Sequence, residues 1–147
     1  MKKVTFYVIS ADICDNGLNN IEELLCYIVK KNWYRCKKVL ICCENQQQAT
    51  RIDEILWKKP LDSFLPHNFI GGGPVSGAPI EITWLENKTN LLSYDILINL
   101  LINVTESFTN FKEIIDFVPY EEYFKKLARI RYKEYSKLGF KLNTIIL

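Results

Sequence analysis

The chain has 147 residues, of which 48% are hydrophobic and 24% charged, and its formal net charge is +2. That length suits one domain around one sizeable core, and the balance of apolar to charged residues excludes a disordered tail. A net charge so near zero argues against a non-specific DNA binder, so any basic function has to come from a local patch.

The opening "MKKVTFYVISAD" places two lysines before a short apolar run, as a signal peptide would. The run is β-branched and aromatic, stops at Asp12 and has no small-residue cleavage site, so it reads as a strand, Lys3–Ile9. Nowhere does an apolar run approach the ~20 residues that a membrane span requires. "NNIEELLCYIVKKNW" follows, with Ile21, Leu24, Leu25, Ile28 and Val29 at helical spacing. "KKVLICC" (Lys37–Cys43) is the next strand, and its vicinal Cys42 and Cys43 must face opposite sides of a sheet. "NQQQATRIDEILWKK" is a second helix, stopped near Pro60.

After this β-α-β-α opening the rhythm changes. "PLDSFLPHNFIGGGPVSGAP" reads as one long loop rich in Pro and Gly. "IEITW" (Ile80–Trp84) and "YDILINL" (Tyr94–Leu100) are strands joined by "ENKTNLLS". "KEIIDFV" (Lys112–Val118) reads as the last strand, and a helix loaded with Lys, Arg and Tyr closes the fold. The expectation is a single three-layer, Rossmann-like α/β domain over residues 1–147, with a mostly parallel central sheet flanked by helices. Five cysteines, odd in number and without a C-x-x-C pair, suggest free buried thiols in a reducing compartment. The expected location is the cytoplasm.

The residues do not assemble an obvious active site. "IGGGPVSG" (Ile70–Gly77) is glycine-rich, but a phosphate-cradling loop leaves a strand and opens a helix, whereas this one precedes a strand. His67 is the only histidine, and no Cys/His spacing supports a metal. In "FLPHNF" a structural hydrogen-bonding role suits it better. Asp53 with Glu54, and Glu121 with Glu122, sit where solvation and helix-dipole matching explain them. Neither a cofactor nor a metal is expected.

The closing helix carries more information. Pro119 suits its first turn, Glu121 and Glu122 its positive end, and the cations come later, an order that by itself stabilises a helix. At ~100° per residue, however, Lys125, Arg129, Tyr132 and Ser136 fall within about 60° of one another. Phe124, Leu127, Ala128 and Tyr135 lie on a different stripe, expected to face the core. Arginine occurs only at Arg35, Arg51, Arg129 and Arg131, and two in one helix suggest that the planar fork matters there. A duplex wants more phosphate contacts than this row offers, and a single strand wants more stacked aromatics. A membrane surface would compete with the core for the apolar side. A short acidic peptide with an apolar end fits best: Arg129 grips a carboxylate, Lys125 attracts further acids, and Val118 with Tyr132 walls a small pocket. In the second helix Trp57 points ~140° away from Ile52, off the core stripe, and Phe64 follows in the loop. The two can form a docking patch or pack on each other.

At these residues the sequence resembles the chi family of accessory subunits of the bacterial DNA polymerase III holoenzyme. The resemblance rests on "TFYVI", "GLNNIEELLCYI", "KKVLICCENQQQATRIDEILW", "SFLPHNF", "GGGPVSGAPIEITW", "DILINL", "DFVPYEEY", "LARIRYKEY" and "GFKLNT". These stretches cover nearly the whole chain; nothing is carried across at "ENKTNLLS" or at the final "IIL". The resemblance implies a nucleotide-binding-like fold used without catalysis, and two protein contacts. The acidic C-terminal tail of single-stranded DNA-binding protein would be received at Val118, Lys125, Arg129 and Tyr132. The psi subunit, which tethers chi to the clamp loader, would dock at Trp57 and Phe64, a surface at which the resemblance also admits a helicase-like repair protein. The expected function is a non-catalytic adaptor that meets nucleic acid only indirectly and no membrane. The alternatives are a nucleotide-dependent enzyme using the Gly71–Gly77 loop and a direct binder of single-stranded DNA.

Overall fold

A computed structural model of the chain describes residues 2–9, 20–35, 37–58, 66–69, 80–84 and 94–146. Among these residues seven strands form one sheet: β1 (Lys3–Val8), β2 (Val39–Cys43), β3 (His67–Phe69), β4 (Ile80–Trp84), β5 (Ile96–Asn99), β6 (Glu113–Val118) and β7 (Lys141–Ile146). Their order is β3-β4-β2-β5-β6-β1-β7, and every neighbouring pair is parallel. Helices α1 (Asn20–Tyr34), α2 (Gln46–Lys58) and α3 (Glu122–Lys137) cover its two faces. The α/β reading therefore holds, and the sheet is wholly parallel among the described residues.

The central strands VLICC and ILIN read as nearly unbroken apolar runs because a parallel sheet is covered on both faces. Val39, Ile41 and Cys43 face α1 and α2, meeting Leu25, Ile28, Ile52 and Leu56. Leu40 belongs to the opposite core with Val4, Phe6, Leu97, Tyr135 and Phe140, and Cys42 packs against it. The two vicinal cysteines thus divide between the faces, as strand alternation requires. Burial pushes the Cys42 thiol up to about 12, with the Glu44 charge adding to the shift, and burial raises Cys43 as well. The fold favours both protonated thiols, so this contribution to stability is complete below the ordinary thiol value of 9.0 and is lost as pH climbs toward 12. At pH 8, iodoacetamide should alkylate Cys42 and Cys43 at least ~tenfold more slowly in the native chain than in urea. Peptide mass mapping reads this directly; equal rates would contradict protection of the half-buried Cys42 and the buried Cys43 by the fold.

Two expectations about the elements are corrected. The segment 60–79 is not loop throughout: His67–Phe69 is a three-residue strand that pairs with Ile80–Ile82 at one edge of the sheet. Three residues between Pro66 and Ile70 are too few to show alternation. The glycine-rich stretch 71–77 lies outside the described residues. The basic helix also does not close the fold, because β7 follows it and pairs with all six residues of β1. The device between them is a helix C-terminal turn. Gly139 has φ +90°, its N–H donates to the Ser136 carbonyl at 3.1 Å, and the Phe140 N–H donates to the Tyr135 carbonyl at 3.1 Å. The Phe140 and Tyr135 rings meet edge-on with centroids 5.9 Å apart, which completes a Schellman motif. β7 escaped the pattern because an edge strand with five of its six residues exposed is polar but for Leu142 until it ends in only two adjacent isoleucines, too short an apolar run to mark it.

Candidate protein-docking surfaces

α3 begins at Glu122 with Glu121 as its cap, so Pro119 precedes the first turn and does not occupy it. The helix packs on β6 and β7, and its residues divide among three directions. Ala128 and Tyr135 are buried against the sheet, as the periodicity predicts. Phe124, expected in the core, is 42% exposed, and with the half-buried Leu127 it lines a cleft at the carboxyl edge of the sheet. The core stripe instead includes Arg131, which is buried.

Arg131 explains one of the two helix arginines. Its Nε donates to Asp116 Oδ2 at 3.1 Å, Nη2 to the Phe117 carbonyl at 3.0 Å and Nη1 to the Ile102 carbonyl at 3.3 Å. Asp116 Oδ2 also accepts from the Tyr135 hydroxyl at 2.8 Å and Asn99 Nδ2 at 3.2 Å, while Oδ1 accepts from the Phe117 N–H at 2.6 Å. Burial pushes the Asp116 carboxyl above the usual carboxylate range; Arg131, the Phe117 N–H and Tyr135 pull the other way. Burial, reinforced by the Asp116 charge, keeps Tyr135 a phenol well above its ordinary range. The planar fork matters at Arg131 as a pin: it fixes α3 to the end of β6 and to the turn after β5. The spacing Ala128, Arg131, Tyr135 is itself helical and carried this signal.

The third direction of α3 is the row singled out by the sequence. Arg129 is exposed and makes no ion pair or hydrogen bond among the described residues. Lys125 Nζ lies 3.6 Å from Glu122 Oε1 and 5.7 Å from the centroid of the Tyr120 ring. Tyr132 is 42% exposed, its ring centroid 5.4 Å from that of the buried Phe6 on β1. Val118 ends β6, half-buried against the core beneath α3. Val118, Lys125, Arg129 and Tyr132 therefore lie on one side of α3, toward β1 and β7, with one uncommitted guanidinium among them.

Trp57 lies elsewhere. It is 61% exposed on α2, and its ring meets that of His67 edge-on at 5.0 Å. His67 is buried at the start of β3, with Nε2 3.2 Å from Asp53 Oδ1, which fits a structural role. Phe64, paired with Trp57 in the sequence reading, lies outside the described residues. α2 packs on β2, β3 and β4, so Trp57 belongs to the β3 edge of the sheet and the arginine row to the β7 edge. Six strand intervals of about 4.8 Å separate the two edge strands by roughly 30 Å.

Among the described residues a cleft of about 470 Å³ lies at the carboxyl ends of β2, β5 and β6. Open α/β sheets bind ligands at such a switch point. Here Glu22, Glu44, Glu121 and Asp116 line it, and its two guanidiniums are already engaged, Arg51 with Glu22 and Arg131 with Asp116. An anionic phosphate would meet these carboxylates first. Among the described residues no cluster of His, Cys, Asp and Glu could hold a metal, and no helix is long and apolar enough to cross a membrane.

Residues 1–143 match the family model described as "DNA polymerase III chi subunit, HolC". Relatives named DNA polymerase III subunit chi are similar over almost their full length. The protein of Escherichia coli K12 is 47% identical over 144 residues, covering 98% of this chain and 97% of the relative. That of Haemophilus influenzae is 40% identical over 143 residues, covering 97% and 96%. That of Pseudomonas aeruginosa is 26% identical over 142 residues, covering 97% and 94%. With a parallel α/β sheet beneath it and a match spanning nearly every residue, the chain belongs to the chi subunit family of DNA polymerase III, accessory subunits of replication.

Proposed function

We propose that the chain is a non-catalytic adaptor domain with two docking edges. At the β7 edge, Arg129 takes the terminal carboxylate of an acidic peptide tail, that of single-stranded DNA-binding protein. Lys125 exchanges its contact with Glu122 for acids of the tail, and Val118 with Tyr132 receives its last apolar side chain. Trp57, which stands at the β3 edge, anchors psi together with Phe64, and through psi the clamp loader. The observation that carries the reading is the exposed, uncommitted Arg129 set between Lys125 and Tyr132 on the side of α3 that the core does not use. A guanidinium fork is the side chain best suited to a terminal carboxylate.

A separation of roughly 30 Å leaves room for both partners at once, so the link would raise the effective concentration of the replicase on coated single strands. Binding assays with purified single-stranded DNA-binding protein and psi test the division. Arg129→Ala should lose the first and retain the second, and Trp57→Ala should do the reverse. If either substitution releases both partners, or neither, the two-edge assignment fails.

A further inference from the structure

The row on α3 has an opposite wall that neither the helix nor the family resemblance includes. Strand register aligns Val118 of β6 with Val8 of β1, and Val8 with Ile146 of β7. Side-chain alternation puts all three on the face beneath α3. Val4 and Leu142 pack in the core on that face, Val8 and Ile146 each stand four residues further along their strands, and Val118 packs against the same core. Ile145 falls on the other face beside Tyr7, its register partner. One step back along the strands, Phe6 is aligned with Thr144, and Tyr132 stacks against Phe6 at 5.4 Å. Val8 is half-buried and Ile146 is 76% exposed, the most exposed of the large apolar side chains described.

Resting on the tail-binding reading above, we infer that β7 completes the hollow: Val118, Val8 and Ile146 form a three-strand apolar floor beside Tyr132, and Ile146 sets a preference for a bulky apolar residue at the end of an acidic peptide. The charge of the site selects the occupant. Arg129 and Lys125 precede Tyr132 by one turn and two on the same side of α3, so the polypeptide that seats an apolar side chain beside Tyr132 carries its negative charge next to that side chain. The apolar end and the carboxylates are then read by different elements, the floor by the strands and the charges by the helix. Among the described residues Ile146 is largely uncovered, and covering it with a guest removes apolar surface from water.

The two readings separate in one titration series. A fluorescein-labelled Asp-rich peptide ending in Leu, and the same peptide ending in Ser, are titrated by anisotropy against the full chain, Ile146→Ser and Arg129→Ala. Ile146→Ser should weaken the Leu-ended peptide about fivefold, as expected for an isoleucine that is covered only in part, and leave the Ser-ended peptide unchanged. Arg129→Ala should weaken both peptides. If Ile146→Ser has no effect, or weakens both peptides equally, while Arg129→Ala still weakens both, β7 is not part of the site and the proposed function stands. If neither substitution changes either affinity, the tail site itself falls and the β7 wall with it. Because Ile146 is exposed, the thermal melt of Ile146→Ser should match that of the parent chain.

Discussion

Arg131→Ala is expected to destabilise the folded chain by about 3–5 kcal/mol, the usual consequence of leaving one partner of a buried ion pair without the other. Asp116 is fully buried, and its remaining donors, the Phe117 N–H, Asn99 and the Tyr135 hydroxyl, carry no charge. The substitution also frees the Phe117 and Ile102 carbonyls that the guanidinium holds, and with them the seat of α3. Urea unfolding followed by circular dichroism measures the loss. A second variant identifies the cause: Asp116→Asn with Arg131→Met removes both charges and should recover part of the stability, because well-packed neutral replacements of buried pairs are often close to neutral. An unchanged urea midpoint for Arg131→Ala would show that the pin is not structural. No recovery in the double variant would show that the loss comes from packing or hydrogen bonds and not from the orphaned charge.

The second large effect concerns the neighbouring arginine and a different quantity. Arg129→Ala should leave unfolding unchanged, because the side chain is exposed and ties no element to another, yet weaken an acidic tail peptide roughly ten- to a hundredfold. That range follows from the ~1.5–3 kcal/mol carried by a hydrogen bond to a charged group. Arg129→Lys should fall in between, since an ammonium keeps the charge and loses the two-pronged geometry. Raising ionic strength should weaken the parent complex and narrow the gap between parent and Arg129→Ala, because screening acts on the exposed charge that distinguishes them. An Arg129→Ala variant with parental affinity would remove the guanidinium from the recognition of the tail. The contrast between positions 129 and 131 is itself informative: two arginines one intervening residue apart perform separate tasks, one seating the helix and the other facing outward.

Much of this was legible in the residues. Helical spacing in α1 and α2 marked the faces that are buried, "IEITW" is a strand over the same five residues, and the vicinal cysteines divide between the two faces as alternation demands. The row Lys125, Arg129, Tyr132 was set by helical geometry, because a turn of 3.6 residues puts those positions on one side whatever the helix packs against. "KLGF" also held the end of α3, since a glycine free to adopt positive φ before an aromatic is the chemistry of a Schellman turn. That signal was present and predicts the chain reversal that β7 needs.

Composition and periodicity thus determined the fold class, the helix faces and the choice of an exposed basic row, because each depends on neighbours within a turn or two along the chain. Tertiary structure decided the rest. It decided that Arg131 meets Asp116 across 15 residues, that Phe124 turns toward a cleft, and that Val118, Val8 and Ile146 stand side by side although they are distant in sequence. It also put Trp57 and Arg129 at opposite edges of one sheet, because strand order is set by how crossovers bury the two apolar faces and not by the order of strands along the chain.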